Sequence, residues 1–200
     1  VSIEVTQESD EADTSSESEA EEEEEVDDRI PPKEGMVRSK LTNEWVDEDV
    51  ANTRPIAVMT PNEKNAVPHY NLSKASVIYE TLVEGNMTRM LALYEDWEDL
   101  ERIGNVRSLR TYYAYWSFEW DSILVHFGGP YYINELLAQS TTQNINGNTS
   151  EDGFFRSTDR KRPHNAYAIG EDLKARAKKL GYSLTYRGLA DEEHFQFTNK

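Results

Sequence analysis

The chain has no cysteine. Disulfides, thiol catalysis and cysteine-ligated metals are therefore excluded, while no cellular compartment is indicated or ruled out. Long apolar runs are missing too. No stretch approaches the roughly 18 residues that read as a bilayer-spanning helix. Positive charge is scarce, with 21 Lys and Arg against 38 Asp and Glu and a net charge of −17. Such a balance argues against nucleic acid as the main partner and against adsorption to an anionic membrane, because both surfaces repel it. There is no phosphate loop ending in Gly-Lys-Ser/Thr, no nucleophile elbow, no His-x-x-x-His pair and no internal repeat. A metal site and a cofactor site are both unsupported.

The acidity is concentrated at one end. Residues 1–34 hold 15 acids and two bases, Arg29 and Lys33, and so carry −13 of the total, leaving −4 for residues 35–200. Ser15, Ser16, Glu17, Ser18, Glu19 and the glutamates at 21–25 repel one another and offer almost nothing apolar to bury. They predict a disordered acidic tether over 1–34. The tether reads as a solubilising spacer or as an arm for calcium or a basic partner, although its scattered acids lack the glycine-centred loop of a tight calcium site. Pro31-Pro32 closes it stiffly. Asn43-Glu44-Trp45 and Asp47-Glu48 read as a docking segment, with Trp45 pinning it to the domain. Residues 35–200 are long enough for a single domain with a real core.

Within that domain, PIAVM at 55–59 suits a buried strand. Residues 76–83 (SVIYETLV) and 87–94 (MTRMLALY) flank Glu84-Gly85-Asn86 and predict paired strands, with helix as the competing reading of the second run. Residues 108–120 are aromatic and place Tyr112, Tyr115, Trp116 and Glu119 at helical spacing. SILVHF at 122–127 is a strand, ended by Gly128-Gly129-Pro130, and residues 131–139 form a helix with Ile133, Leu136 and Leu137 on one side. A long polar loop is expected over 139–159, with Phe154-Phe155 folding back onto the core. A helix over 170–180 has Leu173, Ala177 and Leu180 inward and is stopped by Gly181. Short strands are expected over 182–186 and around Phe195 and Phe197. Interleaved helices and strands define the class as α/β, a mixed sheet with flanking helices.

Four clusters carry candidate chemistry. Glu84 and Arg89 meet at a strand end, unless Gly85 merely eases the turn. Arg107, Ser108 and Arg110 precede a helix, where free backbone donors and guanidinium groups favour a carboxylate or phosphoryl group. Salt bridges to local acids are the plainer reading of the same arginines. His126 ends a strand and is followed by Gly128 and Gly129, which allow close approach by a ligand or by another chain segment. A buried, hydrogen-bonded histidine is the plainer alternative. Arg156, Asp159, Arg160, Lys161, Arg162, His164 and Asn165 form the densest basic stretch, able to close over an anion or to balance nearby acids. His69 and His194 are isolated.

Taken together these segments resemble the YerB-like family of Gram-positive bacteria, described as lipoproteins and containing a domain without assigned function. The resemblance rests on RPIAVM at 54–59, SKASVIYETLVEG at 73–85 with Thr88-Arg89, IGNVRSLR at 103–110, DSILVHFGG at 121–129 and RKRPHNAYA at 160–168. It covers about residues 43–200, most of the first of the family's two usual domains. It implies secretion, a lipidated N-terminal cysteine ahead of Val1 and a polar tether, so that the membrane is reached only through the lipid. Two departures stand out. Asn105 replaces the usual proline of Gly-Pro-Val-Arg-Ser, and the loop after the first strand reads Met59-Thr60-Pro61-Asn62-Glu63 where the family often has a histidine.

The expectation is a cell-surface lipoprotein domain that binds an anionic ligand, a cell-wall glycan or a protein partner. Arg89, Arg107, Ser108, Arg110, Gly128, Gly129, Arg160 and Asn165 are its candidate ligand-binding residues. The alternative is a hydrolase of a cell-wall glycan or phosphodiester, with His126 or His164 as acid or base and Glu84 as partner. A third, a purely structural or interaction module, would show an exposed apolar patch around residues 112–118.

Overall fold

A computed structural model describes residues 30–189 and 194–198; the expected tether lies outside these up to residue 29. From Pro31 onward the described residues form one compact unit. In chain order its elements are β1 (Met36–Arg38), β2 (Trp45–Asp47), α1 (Glu48–Asn52), β3 (Ile56–Pro61), β4 (Val77–Leu82), β5 (Thr88–Tyr94), β6 (Ile103–Gly104), α2 (Thr111–Glu119), β7 (Ile123–His126), α3 (Asn134–Leu137), β8 (Asn144–Asn146), β9 (Phe154–Arg156), β10 (Ala166–Ala168) and α4 (Gly170–Lys179).

The main sheet runs β4-β5-β3-β7-β8. β3 pairs antiparallel with β5 and parallel with β7, so the sheet is mixed. All six residues of β3 are buried, as a strand covered on both faces requires. Its side chains alternate between two cores. Ile56 and Val58 join Ala92, Ile123 and Val125 beneath Leu173 and Ala177 of α4. Ala57 and Met59 join Leu91, Leu93 and Leu124 beneath Tyr113 and Ala114 of α2 and Ile133. The result is three layers, each face of the sheet closed by its own helix. Burying each large apolar side chain contributes roughly 1.5–3 kcal/mol.

β4 and β5 are the expected hairpin, turned at Glu84-Gly85-Asn86, and Val83 N–H closes it on the Met87 carbonyl at 2.8 Å. β4 is an edge strand whose burial alternates residue by residue. Tyr113 ties α2 to this hairpin by donating its hydroxyl to the Arg89 carbonyl at 2.6 Å. On α2 the core face is Tyr113, Ala114 and Ser117, while Tyr112, Tyr115 and Glu119 are exposed.

Several expectations are corrected. Residues 139–159 are not a continuous loop: they contain β8, which extends the main sheet, and β9, which joins β10 and β6 in a second sheet. Both strands are too short to show a hydrophobic period. Residues 182–186 form no strand beyond a single bridge from Thr185 to Thr53. Phe195 and Phe197 lie in no strand; Phe195 packs edge-on to Trp120 with ring centres 5.0 Å apart. Leu180 is 37 % exposed instead of inward, since α4 has already ended. The docking segment is itself a strand: Trp45 lies in β2, paired with β1, and Arg38 stacks 4.0 Å over its ring.

Candidate functional site

β3 and β7 pair in parallel from Ile56↔Ile123 to Val58↔Val125 and then part. Residue 107 enters the gap: its N–H donates to the Met59 carbonyl at 2.8 Å, and its carbonyl accepts Phe127 N–H at 2.9 Å. The extended segment leading into α2 is thus held at the carboxyl ends of two central strands, where open α/β sheets offer a crevice. Asn105 braces it, donating its amide to the carbonyls of Ala66 at 3.1 Å and His164 at 2.8 Å. Arg89 comes in from the side, because it pairs with Pro61 in the β3–β5 register.

A charged cluster results. Arg89 is 4 % exposed and donates to the Ser108 carbonyl at 2.8 Å, while its Nε has no partner among the described residues. The Arg107 Nε is likewise buried and unpartnered among them. Arg110 chelates Glu84 at 2.8 and 2.7 Å, and the guanidinium holds the Glu84 carboxyl down to about 2. Arg160 donates to the Ala66 carbonyl at 2.8 Å. His164 places Nε2 3.1 Å from Glu63. Burial holds the His164 pKa below its ordinary value; Glu63 opposes that, and Arg107, Arg160 and Arg89 add to it. Burial also lowers Arg89 and Arg107, and each feels Arg110 as well as Glu63. Four guanidiniums therefore share one neighbourhood with two carboxylates, an excess of positive charge in a chain of net charge −17.

Of the sequence candidates, Glu84, Arg89, Arg107, Arg110, Arg160 and His164 meet here. The partnership expected at the strand end is different, since Glu84 grips Arg110 and not Arg89. His126 stands apart. It is fully buried, with Nδ1 2.8 Å from the Gly128 carbonyl and Nε2 3.2 Å from Asn144 Oδ1. Burial pushes its pKa down. With both nitrogens engaged, the catalytic reading of His126 gives way to the structural one. Gly128 and Gly129 serve packing in place of ligand approach. Gly128 has φ +75°, and a Cβ there would lie 2.2 Å from Asn148 Nδ2; one on Gly129 would lie 2.2 Å from Ile133 Cδ1. Ser108 points its hydroxyl at the Phe127 carbonyl, 3.2 Å away. Asn165 is 8 % exposed and closes its own loop, accepting from Arg156 at 2.9 Å and donating to the Ser157 carbonyl at 3.0 Å.

Glu63 was not among the sequence candidates. Its one signal is a carboxylate directly after a central strand, at the point where the family resemblance breaks. Among the described residues no group of three or more His, Asp or Glu is placed to hold a metal ion. A cavity of about 600 Å³ opens on a different set of residues, which include Trp45 and Glu95. The unpartnered arginine donors lie at the cluster, not at this cavity.

Fold and charge pattern together define an α/β domain with a cationic cluster at the splayed end of a mixed sheet. The chain belongs to the family described as "Protein of unknown function (DUF3048) N-terminal domain", whose profile matches residues 41–183. It is 35 % identical over 159 residues to the Bacillus subtilis (strain 168) protein named "Putative lipoprotein YerB", covering 78 % of this chain and 47 % of that one. The crystal structure of the YerB protein from Bacillus subtilis superimposes with a TM-score of 0.70 at 35 % identity, over 75 % of this chain and 52 % of the other. The chain thus spans about half the length of these relatives.

Proposed function

We propose that this domain binds an anionic group, a carboxylate or phosphoryl, at Arg89, Arg107, Arg110 and Arg160 without transforming it. The observation that carries the reading is the pair of buried, unpartnered Nε donors on Arg89 and Arg107. A buried donor without an acceptor costs about 1–3 kcal/mol, which an oxyanion would offset. The Arg110 guanidinium, already chelated by Glu84, would act at the rim. The domain would work on the outer face of the bacterial membrane, tethered by its acidic tail to an N-terminal lipid. Support for that location is the lipoprotein name of the relative and the composition of the tail. There, a cell-wall glycan bearing acidic or phosphorylated groups, or a protein partner bearing the same groups, would supply the ligand.

Calorimetric titration with inorganic phosphate and with an acidic glycan fragment tests this. The Arg107→Ala/Arg110→Ala double variant is expected to bind at least tenfold more weakly while still unfolding in one transition. Unchanged affinity in a folded double variant would sink the anion site.

The second reading is hydrolysis of a glycan or phosphodiester bond, favoured by the Glu63–His164 pair. Glu63 would hold Nε2–H, leaving Nδ1, which has no partner among the described residues, to take a proton, while arginines stabilise developing charge. Turnover of a chromogenic phosphodiester that disappears in His164→Gln would favour it over simple binding.

A further inference from the structure

The cavity of about 600 Å³ lies between the β1–β2 hairpin, residues 73–76 and the residues that follow β5. Its apolar wall includes Met36, Trp45 and Val50, its acids are Glu44, Asp47, Glu95 and Asp96, and Lys74 is the one base among the lining residues. Asp47 is already paired with Lys33 at 2.7 Å. Glu95 is the unusual member. It is 3 % exposed, its Oε2 accepts the Ser39 hydroxyl at 2.7 Å, and its Oε1 is buried with no partner among the described residues. Burial, with Asp96 and Glu44 nearby, pushes its carboxyl above the ordinary range. A buried carboxylate with one bare oxygen costs stability unless it takes up a proton or a cation reaches it.

We infer that this cavity is a binding site for an organic cation, a primary ammonium on an apolar stem, whose head meets Glu95 and whose stem lies along Met36, Trp45 and Val50. A metal ion fits the place poorly, because no three acidic or histidine side chains among the described residues converge to ligate one. The volume lies within the roughly 300–1,000 Å³ of small-molecule sites, and the pairing of apolar walls with a few convergent polar groups is their usual chemistry. The site shares no residue with the arginine cluster, so the two stand or fall separately.

The probe is n-hexylammonium, titrated calorimetrically into the full chain, with 1-hexanol as its uncharged counterpart and calcium as a metal control. Saturable binding of the ammonium is expected, with at least tenfold weaker binding of 1-hexanol and any calcium response left unchanged by Glu95→Gln. Glu95→Gln, which keeps an acceptor for Ser39, is expected to weaken hexylammonium at least tenfold and Asp96→Asn several-fold, with Arg107→Ala unaffected. No saturable binding, equal affinity for 1-hexanol, or a calcium response that Glu95→Gln abolishes would overturn the inference. Should Glu95→Gln fail to fold, an unchanged affinity in Asp96→Asn would overturn it as well.

Discussion

His164 Nε2 sits 3.1 Å from the Glu63 carboxylate, with both side chains largely buried and three arginines within electrostatic reach. Neither residue's sequence neighbours announce the pairing. It forms because the loop after β3 and the loop before β10 both dock on Asn105.

Removing the Glu63 charge tests the balance of this cluster. Glu63 is the group that raises the His164 pKa against burial and three arginines. Glu63→Gln is therefore expected to lower that pKa further, read from the His164 ring proton in a pH titration by NMR. The same variant is expected to bind phosphate several-fold more tightly, since one of the two carboxylates opposing four guanidiniums is gone.

Arg54 and Asp121 form a fully buried ion pair at 3.5 Å, and Arg187 donates to the same carboxylate through its backbone N–H at 2.6 Å and its Nε at 2.6 Å. Burial brings the Arg54 pKa down to about 10, against the pull of Asp121. Asp121→Asn would leave Arg54 charged and unpaired inside the protein, a loss of about 3–5 kcal/mol. Asparagine also tolerates the positive φ of 50° found there, which isolates the effect to charge. Urea unfolding measures it, and a loss below about 1 kcal/mol would mean that the pair contributes little.

Acidification should weaken the fold through its histidines. The folded state holds His126 below its ordinary value by burial, so between the folded and unfolded pKa the unfolded chain binds more protons. Stability is fully present above the ordinary His value of about 6.5 and falls as the pH drops below it toward the folded value. His164 acts in the same direction. Urea midpoints at stepped pH are expected to decline across this window in the wild type and to decline less in His126→Gln. A His126→Gln profile parallel to the wild type would remove His126 as the cause.

Gly128→Ala separates packing from ligand approach. The φ of +75° costs an alanine about 1–2 kcal/mol, and its Cβ would press on Asn148. Thermal unfolding is expected to fall by that amount while phosphate affinity stays the same. A folded variant with lost phosphate binding would return this glycine to the binding site.

Much of the architecture was legible locally. The β4–β5 hairpin, β3, α2 and α4 follow from period and from glycine at the turns, because an element of six or more residues averages its own preference over its length, while the four-residue β7 follows from its unbroken apolar run closed by Gly128-Gly129. β8 and β9, three residues each, have no such average; neighbouring strands recruit them. The sequence also supplied the arginines and His164 as candidates, since residue type alone determines what a side chain can bind. It could not separate His126 from them. A histidine ending an apolar strand is the same string of letters whether its ring faces a crevice or the Gly128 carbonyl.

The sequence by itself determined the class of fold, the acidic character of the leading segment and the family. These depend on composition, on short-range periodicity and on ordered motifs. Only the tertiary structure decided which charges meet. Glu84 went to Arg110, Glu63 to His164, Asp121 to Arg54, and Glu95 was left with a bare oxygen beside a cavity. Each outcome is set by the desolvation and proximity of groups distant along the chain, and those quantities exist only once the strands have paired and the loops have closed over their ends.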